Sequence, residues 1–130
     1  MLNKFRDEIH QNAVDHGWWE EERSFGDIIA LCHSELSETL EEYRNGHKPT
    51  EVYYSCGKDY NCGLYEPGGV NKECIGCVKH KPEGIPIELA DCIIRILDYC
   101  GYEGIDIEAA IRTKHEYNKT RPYKHGGKVI

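Results

Sequence analysis

Apolar side chains recur every three or four positions in four stretches of the chain, the spacing of helices with one buried face. Residues 3–16 place Phe5, Ile9 and Ala13 on one side, with Leu2 just ahead of them, and Gly17 interrupts the pattern before Trp18 and Trp19. A second helix starts near Ser24, where Ser24-x-x-Asp27 resembles a capping box with Asp in place of Glu. Its stripe of Ile28, Ile29, Cys32, Leu36, Leu40 and Tyr43 runs until Asn45-Gly46 stops it. The third segment, Pro86 to Gly101, reads IELADCIIRILDYC and is apolar nearly all round, the signature of a central helix. A fourth fits Asp106 to about Thr120, with Asp106 as N-cap and Arg121-Pro122 as its end. No internal repeat and no alternating strand pattern of useful length interrupts this series. The expected fold is all-α, a four- to five-helix bundle in one domain spanning residues 1–130. So apolar a third helix leaves more surface than one copy covers, so the bundle is expected to be completed by dimerisation.

Residues 46–84 break the helical rhythm, because Gly, Pro, Tyr and Cys are concentrated there. An irregular insertion of that length needs something to hold it. Cys56, Cys62, Cys74 and Cys77 stand in the order C-x5-C-x11-C-x2-C, whose second half is a common zinc knuckle. Four thiolates on one Zn2+ would tie down a segment too polar to fold on its own, with His80 or His47 as replacement for one ligand. Two disulfides or unlinked thiols are the competing readings. Cys32, Cys92 and Cys100 fall on helical apolar faces and are read as small core residues.

Two pairs of acids stand out against this frame: Glu35-x-x-Glu38 on the second helix and Glu88-x-x-Asp91 on the third. A three-residue step turns a helix by about 300°, so the partners of each pair share a face and can reach one ion. Arg95 lies four residues after Asp91 and can pair with it. Glu35 and Glu38, by contrast, have only Glu41, Glu42 and His33 as ionisable neighbours on their own helix. On the third helix, Glu88, Asp91 and Asp98 are acids in an apolar setting, costly to bury unless paired or metal-bound. Four carboxylates gathered this way suit Mg2+, a cation that takes hard oxygen ligands and commonly carries phosphate.

The 130 residues provide one core, and their net charge of −7 is unevenly spread. Residues 1–110 hold ten basic and 22 acidic side chains, whereas residues 111–130 hold six and one. A body so acidic repels a nucleic-acid polymer, whose binding needs a basic surface. A metal-loaded pocket and a short basic tail suit a small polyphosphate better. No apolar run approaches the roughly 20 residues of a membrane span, and the opening MLNKFRDEIH lacks the apolar stretch of an export signal, so a cytoplasmic location is expected.

These residues together resemble the MazG-like all-α nucleoside triphosphate pyrophosphohydrolases. The resemblance is carried by Glu35-x-x-Glu38, Glu88-x-x-Asp91 and Lys114-x-x-x-Asn118-x-x-Arg121. Gly17-Trp18-Trp19-Glu20 and the run Arg121-Pro122-Tyr123-Lys124-His125-Gly126-Gly127-Lys128 extend it. It covers about residues 10–45 and 85–128 and leaves the cysteine insertion outside the family pattern. It implies hydrolysis of a nucleoside triphosphate between the α- and β-phosphates, giving a monophosphate and pyrophosphate. It implies Mg2+ held by Glu35, Glu38, Glu88 and Asp91, and a homodimer or homotetramer. Glu38 is the first candidate to activate the attacking water, with Glu35 or Glu42 as alternatives. Lys114, Asn118 and Arg121, at i, i+4 and i+7, would clamp phosphates together with Lys124, and Trp18 and Trp19 would enclose the base. The other readings are a phosphohydrolase acting on another phosphorylated nucleotide, of dUTPase-like or phosphoribosyl-nucleotide type, and a non-enzymatic zinc-binding interaction module.

Overall fold

A computed structural model describes residues 1–56 and 80–124 of the chain. It contains, in order, α1 (Leu2–Asp15), α2 (Phe25–Arg44), β1 (Tyr53–Cys56), β2 (His80–Glu83), α3 (Ile85–Glu103) and α4 (Ile107–Lys119). The four helices match the periodicity of the sequence to within two residues at most of their ends. The strands were not expected from it. β1 and β2 pair antiparallel, Tyr53 opposite Glu83 and Cys56 opposite His80, at the two ends of the cysteine-rich insertion. Four-residue strands are too short for alternation to be read from sequence.

The chain divides into two compact units, a central one of Arg23–Ile96 and a terminal one of Met1–Glu22 with Leu97–Ile130. In the central unit, α2 begins where its cap permits: Ser24 is extended and its hydroxyl accepts from the Asp27 amide at 3.0 Å. The buried face of α2 carries Ile28, Cys32 and Glu35, and that of α3 carries Ile85, Glu88 and Cys92. Cys92 Sγ donates to the Cys32 carbonyl at 3.6 Å, which fixes the two helices side by side. β2 passes into α3 through Gly84, whose φ of +119° suits only glycine and whose Cα faces the Glu51 carbonyl too closely for any Cβ.

Much of the predicted apolar stripe faces outward in the single chain. Ile29, Leu36, Leu40 and Tyr43 of α2 are exposed, as are Leu89, Ile93, Ile94 and Ile96 of α3. Cys32, Glu35, Glu88 and Cys92 are buried together with Ile28 and Ile85, whereas these other large aliphatic residues face away.

In the terminal unit, α1 meets the last turns of α3 at Gly101, where an added Cβ would lie 2.6 Å from Cβ of His10. Leu97 and Cys100 are buried there. Asp106 caps α4 by accepting from the Ala109 amide at 3.0 Å, and it also accepts from Asn3 Nδ2 at 2.8 Å. Arg6 donates to the Ile105 carbonyl, so the α3–α4 turn is tied to α1 by side-chain bonds. Among the described residues no helix is long and apolar enough to cross a membrane.

The close approach at Gly101 yields a prediction for stability. Gly101→Ala should force α1 away from α3 and cost about 1–3 kcal/mol, read as a lower urea midpoint with an unchanged slope.

Candidate functional site

Helical pitch and the contacts between α2 and α3 together decide which acids meet. The two helices run antiparallel, with Cys32 beside Cys92 and Glu38 bonded to Glu88, so the three-residue pairs face each other. Glu35, Glu88 and Asp91 each present a carboxylate oxygen, and these oxygens all lie within 4.8 Å of one another. Glu35 and Glu88 are buried, and Asp91 is half-buried. Glu38, the fourth predicted acid, is exposed and shares a hydrogen bond with Glu88.

Carboxylates packed this closely raise one another's proton affinity. Burial, then the hydrogen bond to Glu38, then the charges of Glu38, Asp91 and Glu35 push the Glu88 carboxyl up to about 7. Asp91 is also raised, chiefly by burial and then by Glu35, while the positive charges of Arg95 and Lys81 pull it back. The donor set fits Mg2+ on chemical grounds. All its donors are hard oxygens, and they converge from two helices within 4.8 Å of one another.

Arg95 corrects one expectation. Instead of pairing with Asp91 along its own helix, it reaches across to α2, where its Nε donates to Glu35 Oε1 at 2.7 Å. Glu35 therefore has a cationic partner that a reading confined to neighbours on α2 misses. Glu42, named above as an alternative for activating water, has both its oxygens accepting from the Tyr53 hydroxyl, at 2.8 and 2.9 Å. The His47 ring stacks on Tyr53 at 4.5 Å and pairs with Glu51, so Glu42 is engaged in holding β1 and the α2–β1 connection to α2. Burial and the bond to Glu42 raise the Tyr53 hydroxyl, which keeps it a donor.

The remaining predicted residues belong to the terminal unit. Trp19 Nε1 donates to Asp98 Oδ1 at 2.9 Å, and the indole stacks on Tyr102 with ring centres 4.1 Å apart. His10 Nδ1 donates to the same Asp98 oxygen at 2.8 Å. The buried Asp98, an acid that the apolar pattern of α3 left without an account, thus has two donors. Trp18 is half-buried. Lys114 and Asn118 are exposed on α4, with the Lys114 ammonium 4.8 Å from the Tyr117 ring centre. Arg121 lies just past the Thr120 C-cap of α4, off the helix proper, with its amide bonded to the Asn118 carbonyl. Lys124 is exposed with a φ of +52°. An apolar hollow of about 400 Å3 is lined by Met1, Leu2, Phe5, Glu108 and Arg112, none of them a predicted site residue.

Of the four cysteines assigned to zinc, Cys56 ends β1, opposite His80 on β2. Cys62, Cys74 and Cys77 lie outside the described residues, as do the last six residues of the glycine-containing tail.

No family model, curated protein or solved structure matches this chain.

The carboxylate cluster predicts a pH dependence. Glu88 holds its proton more tightly in the folded chain than in the unfolded one, whose ordinary value is 4.5. That contribution to stability is complete below pH 4.5 and is lost as the pH rises to about 7. In chelator-treated protein, the melting temperature should fall across this interval, and Glu88→Gln should flatten the fall.

Proposed function

We propose that the chain is a Mg2+-dependent nucleoside triphosphate pyrophosphohydrolase that cleaves between the α- and β-phosphates. One observation carries the proposal: Glu35, Glu88 and Asp91, drawn from two separate helices, converge within 4.8 Å. The motif resemblance named the same three residues, with Glu38 as the fourth.

Glu35, Glu88 and Asp91 would hold the ion, with Glu38 at its edge. Mg2+ supplies charge neutralisation of the phosphate oxygens and acidifies a coordinated water, so no protein nucleophile is required. Glu38 is the acid that would orient or deprotonate that water, because it is exposed and its bond within the cluster is to the neighbouring Glu88 carboxyl, while Glu35 and Glu42 are bonded to Arg95 and Tyr53. Glu88 would give up its proton when the ion binds, since the second positive charge reverses the repulsion that raised it.

The outward aliphatic rows of α2 and α3 support association of two chains. Leu36 and Leu40 are 47% and 49% exposed, and Ile93 is 55% exposed, in a helix otherwise built for a core. A homodimer, or a tetramer built from it, would cover them.

Two measurements test these readings. Purified protein supplied with a panel of nucleoside triphosphates should release pyrophosphate only with Mg2+. Glu38→Gln and Asp91→Asn should each lower the rate by about 100-fold or more; orthophosphate alone would move the assignment to another phosphohydrolase reaction. Light scattering at micromolar concentration should give at least twice the monomer mass, and Ile93→Glu should reduce it to one chain.

A further inference from the structure

Arg95 is the only Lys or Arg in α3, and it comes from the helix that also supplies Glu88 and Asp91. Its guanidinium is placed on the acids rather than in solvent: Nε lies 2.7 Å from Glu35 Oε1, and the two side chains are 29% and 9% exposed. Its charge is also felt by Asp91. Lys81 of β2 is a second cation near Asp91, but it is 71% exposed and sits beside Glu83. The only basic residue of α2 besides His33 is Arg44, which is exposed beside Glu41. Thus, among the described residues, the Glu35, Glu88 and Asp91 cluster has one inward guanidinium, and it bonds a carboxylate that a metal ion would use.

A guanidinium cannot lose its proton, so it cannot leave the cluster by neutralisation. It can only remain bonded to Glu35 or move off it. A divalent ion coordinated by the same carboxylate would stand a few ångströms from a fixed positive charge.

We propose that Arg95 is a resident counter-cation of this cluster: it holds Glu35 in the metal-free protein, is displaced from Glu35 Oε1 by a divalent cation, and so sets the affinity for that cation by competition. The inference rests on the metal-site reading and adds to it a positioning residue. Before loading, the guanidinium holds the Glu35 carboxylate in place between the helices. On loading, the acids exchange one cation for another, and the site is never left as a set of buried like charges. Loss of Arg95 leaves those like charges uncompensated, which weakens the metal-free fold and strengthens its demand for a cation.

The test is Mn2+ binding to the whole chain, followed by the paramagnetic resonance signal of free Mn2+, in the parent, Arg95→Met, Arg95→Lys and Asp91→Asn. Arg95→Met should bind Mn2+ about tenfold more tightly than the parent, the effect of removing one charge a few ångströms from a divalent ion in a wet site. Arg95→Lys, which keeps the charge, should stay close to the parent, and Asp91→Asn should bind more weakly. Unchanged or weaker binding in Arg95→Met, with Asp91→Asn still impaired, would overturn the role of Arg95 alone. Absence of binding in the parent would overturn the metal site and this inference together. Should Arg95→Met fail to fold, the Arg95 Nε–H resonance of the parent decides. It should move strongly on Mg2+ addition, as its bond to Glu35 is given up, and a resonance that stays in place would overturn displacement.

Discussion

The central unit depends on an electrostatic problem and its local solution. Two helices pack through small side chains, Cys32 and Cys92, and this close approach brings together the carboxylates of Glu35 and Glu88, which are buried, and of Asp91, which is half-buried. Like charges at that spacing oppose folding by an amount comparable to the stability of a whole small domain unless they are neutralised. The chain neutralises them twice, once with a proton held on Glu88 and shared with Glu38, and once with the Arg95 guanidinium on Glu35. Both devices are reversible. On the proposed reading a divalent cation would replace them, which gives an arrangement costly to folding a use as a binding site.

A polar network of another kind fixes β1. The hydroxyl of Tyr53 bonds both oxygens of Glu42, and His47 stacks on its ring, so the first strand is anchored one turn beyond Glu38 on α2. The strand pair at the two ends of the cysteine-rich segment is therefore fastened to the helix that bears Glu35 and Glu38. The terminal unit uses the same logic on a single carboxylate, with His10 and Trp19 meeting at one oxygen of Asp98 and Tyr102 closing over the indole. In each case a buried or half-buried acid is kept by specific donors rather than by solvent.

Periodicity, caps and the carboxylate spacing were legible in the chain itself. Ser24 and Asp106 cap their helices through the bonds their positions implied, and the acids of α2 and α3 converge as their shared faces required. These features are local, governed by helical pitch and by the side chain's reach to its own backbone. Other features were not legible, because they join residues far apart in sequence. The partner of Glu35 is 60 residues away, and the donors to Asp98 lie 88 and 79 residues before it. A pairwise rule confined to one helix sent Arg95 to Asp91, since i+4 is the only distance such a rule knows.

The side on which the apolar stripes face was likewise outside the reach of pattern. The sequence by itself determined that α2 and α3 are helices with more aliphatic surface than one neighbour can cover, and that four acids stand beside those stripes. Only the tertiary structure decided that the helices meet on their acid and cysteine side, leaving Leu36, Leu40 and Ile93 outward. The physical reason is that periodicity fixes angles around a helix axis but not which of two adjoining faces a partner helix takes. That choice is made by contacts summed over both helices, and here the small side chains, the hydrogen-bonded carboxylates and one guanidinium make it.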